Sequence, residues 1–355
     1  MSDPKLKIGI VGAGRMGITH QCIINTHPEV EVVAVADPSA LVTKMLAKYA
    51  GVKTHKDYRT MLDKEQLDAV LLCTPPAINH EVLQAVHAKR LHAFVEKPFA
   101  LNPAHGAELA AMFDGAGLVN QVGYVNRFND MFVKAREIAR SGLLGRPLRF
   151  RSEMYSSTIV GEQGEEGWRA THASGGGAMY EMASHAIDLI NYMFGKPDKV
   201  AGTCLTKVWS KQVEDIVAGS YLYDNGLTGS IYVNWSDESF RKPTNKIEVF
   251  GTCGKLQADQ HGMKLFLTKA APELGYEAGW NQVYITDVFS NVPFYLRGIE
   301  FTAQLYHFID CIRGRAAQRC SFADGAAALG VIHDMFRDAA ALEAGLGHAT
   351  EGAVA

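Results

Sequence analysis

Short apolar runs alternate with segments of helical period over the first third of the chain. Residues 7–11, 31–36, 67–73, 92–95 and 117–123 are nearly continuous apolar stretches, while 41–49, 80–89 and 103–113 carry helical spacing. Gly51 is placed to stop the first of those helices. The run 67–73 ends in Thr74-Pro75-Pro76 and the run 92–95 in Glu96-Lys97-Pro98, where proline cannot extend a strand ladder. Apolar strands separated by helices predict a doubly wound parallel sheet covered on both faces. Ligands bind such sheets beyond the carboxyl ends of the strands. Gly12, Asp37, Thr74 and Lys97 all fall just past strand ends, so one crevice is expected to hold them.

The rhythm changes near residue 125. An amphipathic helix at 129–141 is closed by Gly142, and a strand follows at 147–155. A Gly- and Glu-rich loop, 159–177, leads to a helix at 178–194. Strands then recur at hairpin spacing: 200–209, 216–223, 227–235, 246–250, 255–258 and 263–268. Asp224-Asn225-Gly226, Gly251-Thr252-Cys253-Gly254 and His261-Gly262 supply turn chemistry between them. The expectation is an antiparallel meander with one face on helices and the other open, carrying Tyr221, Tyr223, Tyr232 and Trp235. An open face of that kind suits a homo-oligomer, dimer or tetramer. Helices at about 300–313 and 324–342 finish the chain, and the last few residues are expected to fray. Two domains follow, 1–124 and 125–355, with the C-terminal helices free to pack back on the first.

Candidate chemistry begins at Gly12-Ala13-Gly14-Arg15-Met16-Gly17, between the first strand and a helix. Gly12 permits the tight turn, Gly14 lets backbone approach a pyrophosphate, and Gly17 lets the helix pack on the strand. The helix start then offers N–H groups and a positive dipole to phosphate. Asp37 closes the second strand at the separation from Gly17 at which a carboxylate meets a ribose. The reading is a dinucleotide site. Asp37 repels a 2′-phosphate and Pro38-Ser39 offers no cation, which favours NAD.

Composition narrows the rest. Hydrophobic residues make up 47% and charged residues 21% of 355, ordinary for a globular chain. A net charge of -3 gives no reason to expect nucleic acid or an anionic membrane as partner. No apolar run approaches a membrane span, and no signal-peptide core precedes the first strand. The six cysteines lack C-x-x-C spacing and read as reduced thiols, so a cytoplasmic location is expected. The thirteen histidines are scattered without H-E-x-x-H, and no metal site is expected.

Lys97, extended before Pro98, is aimed out of the sheet end, where an amine would polarise a hydroxyl or carbonyl; a solvated surface lysine is the plainer alternative. Glu181, His185 and Asp188 share a helix face opposite Met182, Ala186, Leu189, Ile190 and Met193. That polar stripe either lines a cavity or faces water. In a cavity, His185 takes a hydroxyl proton and Glu181 orients the imidazole.

These stretches, with Val122-Gly123-Tyr124-Val125-Asn126-Arg127-Phe128, Trp168-Arg169, Ser174-Gly175-Gly176-Gly177 and His80, resemble the family of glucose–fructose oxidoreductase, inositol dehydrogenase and rhizopine-catabolism oxidoreductases. The resemblance runs from Ile8 to about Leu342. It implies an N-terminal Rossmann domain, a C-terminal α/β domain with a large, open, mostly antiparallel sheet, and NAD(P)-dependent oxidation of a CH–OH group on sugars or cyclitols. It implies Lys97 and His185 as catalytic residues with Glu181 as partner. It adds Thr74, Pro75, His80, Glu96, Gln121, Trp168 and Arg169 to Gly12–Gly17 and Asp37 as cofactor contacts, and Asn126, Arg127 and Tyr155 as substrate contacts. Three departures stand out: Glu181 where Asp is usual, Ala183 where glycine is common, and Arg90 where a helix-ending glycine is usual.

The leading reading is an NAD-dependent dehydrogenase of a sugar, polyol or nucleotide sugar. A glycoside hydrolase or lyase using tightly bound NAD transiently would employ the same residues, and a non-catalytic NAD sensor would not need Lys97 and His185. Residues 276–297, with Trp280, Asn281, Tyr284, Phe294, Tyr295 and Arg297, are expected to shape the substrate pocket, although packing explains the aromatics equally well. Arg297 and Arg241 are candidates to pair an anionic substrate group.

Overall fold

The first ladder forms where the sequence is most apolar. In the computed structural model, which describes residues 4–162, 164 and 167–352 with side chains as far as 345, β1 (Leu6–Val11) pairs in parallel with two neighbours. The first stretch runs β1, α1 (Arg15–Ile24), β2 (Val30–Ala36), α2 (Ala40–Tyr49), β3 (Lys53–His55), α3 (Tyr58–Lys64), β4 (Ala69–Leu72), α4 (Asn79–Ala88), β5 (His92–Val95), α5 (Pro103–Gly115) and β6 (Asn120–Val122). There follow α6 (Asp130–Arg140), β7 (Pro147–Tyr155), α7 (Ser184–Phe194), β8 (Lys199–Thr206), β9 (Ile216–Leu222), β10 (Thr228–Asn234), β11 (Thr244–Gly251), β12 (Gly254–Asp259), β13 (Gly262–Leu267), β14 (Gly279–Tyr284), the single turn α8 (Ile285–Val288), α9 (Ile299–Ile312) and α10 (Phe322–Gly352). The expected fraying at the last residues, and positions 163, 165 and 166 of the Gly- and Glu-rich loop, lie outside the described residues.

The chain divides into two units. The first comprises Met1–Phe128 with Ser290–Ala326, the second Asn129–Phe289 with Ala327–Ala355. The first unit thus recruits α9 from the far end of the chain.

In the first unit the strands order as β3-β2-β1-β4-β5-β6, all parallel. β4 is buried at every position, as a strand covered on both faces must be. Leu305, Phe308 and Ile309 of α9 close the core over Ile8, Ile10, Leu71 and Phe94. The short strand β3 and the helix α3 carry too little periodicity to be read in advance. Arg90, after α4, has a φ of 55°, the left-handed conformation in which glycine is usual.

The second unit carries the eight-stranded order β14-β13-β12-β11-β7-β10-β9-β8. A simple meander is corrected here. The β8-β9-β10 and β11-β12-β13-β14 arms are antiparallel, but β7 lies between them and pairs with β10 in parallel. Turn residues specify hairpins between neighbours in sequence and are blind to a strand inserted from earlier in the chain. α7 packs on β7 and β10, with Phe194 stacked on Phe150 at 4.8 Å.

The aromatic face also differs from expectation. Tyr221, Tyr223 and Trp235 are buried, and of the four residues expected outside only Tyr232 is exposed. The alternation of β9 and β10 places Val217 and Tyr221 with Ile231 and Val233 inside, so the same period puts Leu222 and Tyr232 outside. Phe250, Trp280 and Tyr284, on strands farther along the sheet, share the exposed side. Among the described residues no helix is long and apolar enough to cross a membrane.

Candidate active site

The turn after β1 is shaped by missing side chains. Gly12 has a φ of +89°, and a Cβ there would sit 2.6 Å from the Cys73 carbonyl oxygen. A Cβ on Gly17 would collide with the Gly12 carbonyl oxygen, so the helix can close on the turn only through glycine. Gly14 is different. Its backbone is extended (φ −68°, ψ −170°), and a Cβ would meet nothing within 4 Å. Neither conformation nor packing within the protein requires glycine there, and its missing side chain leaves the start of α1 open to approach.

That start has no side-chain cap and no acid in its first turn. Its positive end is therefore left for an anion. Asp37 stands beside it. Its Oδ2 accepts the Ala13 N–H at 2.8 Å and its Oδ1 the Ser39 N–H at 2.9 Å. The carboxylate braces the glycine turn, a role its position in the sequence did not reveal, and keeps lone pairs for hydroxyl donors. An anion seat beside a fixed carboxylate fits a dinucleotide's phosphates and ribose.

The other sheet-end residues are tied together. Thr74 Oγ1 donates to Asn79 Oδ1 at 2.7 Å, and Asn79 Nδ2 donates to the Pro98 carbonyl at 3.4 Å. The Lys97–Pro98 peptide is cis. Glu96 meets the fully buried His20, Nε2 to Oε1 at 2.5 Å, and accepts the Lys97 N–H on Oε2 at 3.2 Å. His20 escaped notice as one polar residue on the inner face of α1. The neighbouring Cys73 thiol is pushed up by burial and, less, by the charge of Glu96. Arg297 adopts φ 66° with its guanidinium over Phe301, and burial and the like charge of Arg15 lower its pKa against the pull of Glu96.

Several expected contacts are engaged elsewhere. Gln121 donates to the Gln304 carbonyl at 2.8 Å and is buried. Arg127, 3% exposed, donates to the Arg319 carbonyl and pairs with Asp324 at 3.0 Å, so its guanidinium ties this unit together. Asn126 is likewise buried. His80 pairs with Glu108 on α5 and stacks on His105 at 3.8 Å. Arg and His in a motif read alike whether they bind or brace, and only partners from distant segments separate the two.

In the second unit, the run Ser174-Gly175-Gly176-Gly177 lets the chain turn against two polar groups. A Cβ on Gly176 would collide with the Arg169 carbonyl, and one on Gly177 (φ +94°) would sit 2.5 Å from Glu214 Oε1. Glu214, 2% exposed, accepts the Met179 N–H on Oε1 at 2.7 Å and meets His172 Nε2 on Oε2 at 2.5 Å. It anchors the loop to the helix that follows. Burial first and Glu214 second push the Tyr180 phenol up to about 12.

That helix opens with a π-turn, Met179–Ala183, before α7. The wider turn changes the angular spacing between Glu181 and His185 from that of a regular helix. Arg169 Nε and Nη2 donate to the two Glu181 oxygens at 2.6 and 2.7 Å, and the guanidinium lies 4.5 Å from the Trp168 ring centre. Glu181 thereby raises the Arg169 pKa. His185 is half-buried and Asp188 fully buried, so Asp188 at least does not face water. Tyr155 lies on the open side of β7, stacked on Phe240 at 4.5 Å, while Phe150 and Met154 face the α7 side. Burial and then Glu153 push its phenol up to about 12. Among the described residues no three metal-ligating side chains converge.

A parallel sheet with an uncapped helix start and a fixed carboxylate at its carboxyl edge accords with comparison to known proteins, which places the chain among NAD-dependent oxidoreductases acting on CH–OH groups. The chain belongs to the GFO/IDH/MocA family: residues 6–124 match its oxidoreductase, NAD-binding Rossmann-fold domain and residues 132–257 its C-terminal domain. It is 26% identical over 257 residues to the uncharacterized oxidoreductase YrbE of Bacillus subtilis, covering 71% of this chain and 73% of that one. It is 25% identical over 275 residues to myo-inositol 2-dehydrogenase of Thermotoga maritima, covering 72% and 75%. A solved levoglucosan dehydrogenase in complex with NADH shares the fold with a TM-score of 0.84 at 20% identity, over 95% of this chain and 97% of that one.

Proposed function

We propose that this protein oxidises a secondary hydroxyl of a sugar, cyclitol or sugar derivative, with NAD as acceptor. The observation that carries the reading is the fixed backbone at Lys97, set by Glu96 at the sheet end of the unit that holds the dinucleotide seat. Relatives named for inositol and levoglucosan dehydrogenation support the substrate class. NAD, when bound, supplies the acceptor for the hydride. Lys97 donates a hydrogen bond to the reacting oxygen and stabilises the charge that develops on it. His185 takes the hydroxyl proton. Glu181, held by Arg169, is the partner that orients that imidazole.

The test is a panel of cyclitols, sugars, sugar acids and nucleotide sugars with NAD, followed at 340 nm. Lys97→Ala and His185→Ala should each abolish turnover while NAD affinity stays within about threefold, under 1 kcal/mol. Near-wild-type turnover in either variant removes that residue from the mechanism. The open sheet face, with Tyr232, Phe250 and the Tyr155–Phe240 stack, is the proposed homo-oligomer surface. Light scattering on Tyr232→Glu/Phe250→Glu should show a smaller species than the parent; an unchanged mass counts against it.

A further inference from the structure

His20 takes no chemical step in the reaction as proposed, yet through Glu96 it connects two parts of the site. His20 sits on the inner face of α1, whose other end is the anion seat. Its ring is fully buried, edge-on to Phe94 at 5.2 Å and 6.5 Å from Phe301, so it is fixed in an apolar box. Its Nε2 meets Glu96 Oε1 at 2.5 Å, and its Nδ1 is buried with no hydrogen-bond partner. A bare acceptor at Nδ1 costs less than an orphaned N–H, so the arrangement suits the tautomer that donates from Nε2. The second Glu96 oxygen accepts the Lys97 amide. A Cβ on Gly123 would stand 3.1 Å from that carboxylate, so glycine at 123 spares the carboxylate a tight contact.

We infer that His20 is a positioning residue for Lys97: by holding one Glu96 oxygen inward, it fixes the other on the Lys97 amide and keeps the Glu96 charge from turning toward the lysine amine. The same helix seats the phosphates and aligns the lysine backbone, so both are set by one rigid element. This role rests on the catalytic part proposed for Lys97, but its geometry does not.

The test compares His20→Leu with His20→Gln, whose carboxamide N–H reaches about as far as Nε2. Lys97 acetylation by limiting acetic anhydride, read by peptide mass spectrometry across pH, needs no substrate. In His20→Leu the released Glu96 charge turns toward Lys97, raises the pKa of its amine, and slows labelling at pH 8 by at least about threefold, half a pKa unit. NADH affinity stays within about threefold, and turnover on any substrate found falls about tenfold or more. His20→Gln restores labelling and turnover to within about threefold of the parent. Labelling unchanged in His20→Leu, or not restored in His20→Gln, overturns the inference. A Lys97→Ala variant that still turns over would instead sink the proposed catalytic role while leaving the labelling result to stand.

Discussion

In the first unit the turn after β1 takes its shape from what glycines lack; in the second, the stretch around Trp168 and Arg169 takes its shape from what buried acids supply. Gly17 makes room for the Gly12 carbonyl five residues back, and Gly12 for the Cys73 backbone at the end of β4. Glu214 reaches back across the fold to His172 and Met179, and Arg169 to Glu181. The first arrangement is backbone against backbone and tolerates no side chain. The second is a set of hydrogen bonds that conservative substitution weakens by degrees. A site of the first kind should therefore fail abruptly and one of the second kind gradually.

The largest effect is expected at Gly17. A valine there drives its Cβ into the Gly12 carbonyl, and NADH binding by fluorescence titration should be lost altogether. Retained binding would show that the turn can open. In the second unit the largest effect belongs to Asp215, next to Glu214. Its Oδ2 accepts the amides of Val208, Trp209 and Ser210, and its Oδ1 the Ser210 hydroxyl and the Trp235 indole. Asp215→Ala strands these donors and should cost about 4 kcal/mol in urea unfolding.

The same carboxylate sets an acid limb. Burial alone would raise its pKa, but the Ser210, Trp235 and Val208 donors hold it below the ordinary value. Its contribution is thus whole above the unfolded pKa of about 4 and is lost as pH falls through the folded value. Unfolding of Asp215→Ala should lack that part of the dependence.

Gly14→Ala sharpens the contrast between packing and ligand. The added Cβ meets nothing in the protein, so the melting temperature should stay within about 2 °C while NADH affinity falls about tenfold or more. Equal losses of both would place the constraint inside the protein. Arg169→Lys should lower turnover about tenfold, because one amine cannot replace the two-pronged grip on Glu181. Glu214→Gln is the mildest, a few-fold rise in substrate KM as the loop loosens from His172.

The same contrast explains what could be read in advance. Strand runs, the glycine motif and Asp37 are encoded over short spans, so the parallel sheet and the glycine turn at its edge were legible. The insertion of β7 beside β10, the burial of Tyr221 and Trp235, and the inward turn of Arg127 depend on partners far along the chain. Glu214 and Asp215 fall in no motif and precede a strand. Adjacent in the chain, they take two separate sets of donors. No local pattern marks a buried acid whose donors arrive from elsewhere, and His20 is the same case on a helix.

The most direct measurement is absorbance at 340 nm against product formed, with NAD and a substrate that turns over. One NADH per product, lost in both Lys97→Ala and His185→Ala, is the predicted result. Product formed without accumulating NADH, or turnover surviving either substitution, would contradict the account.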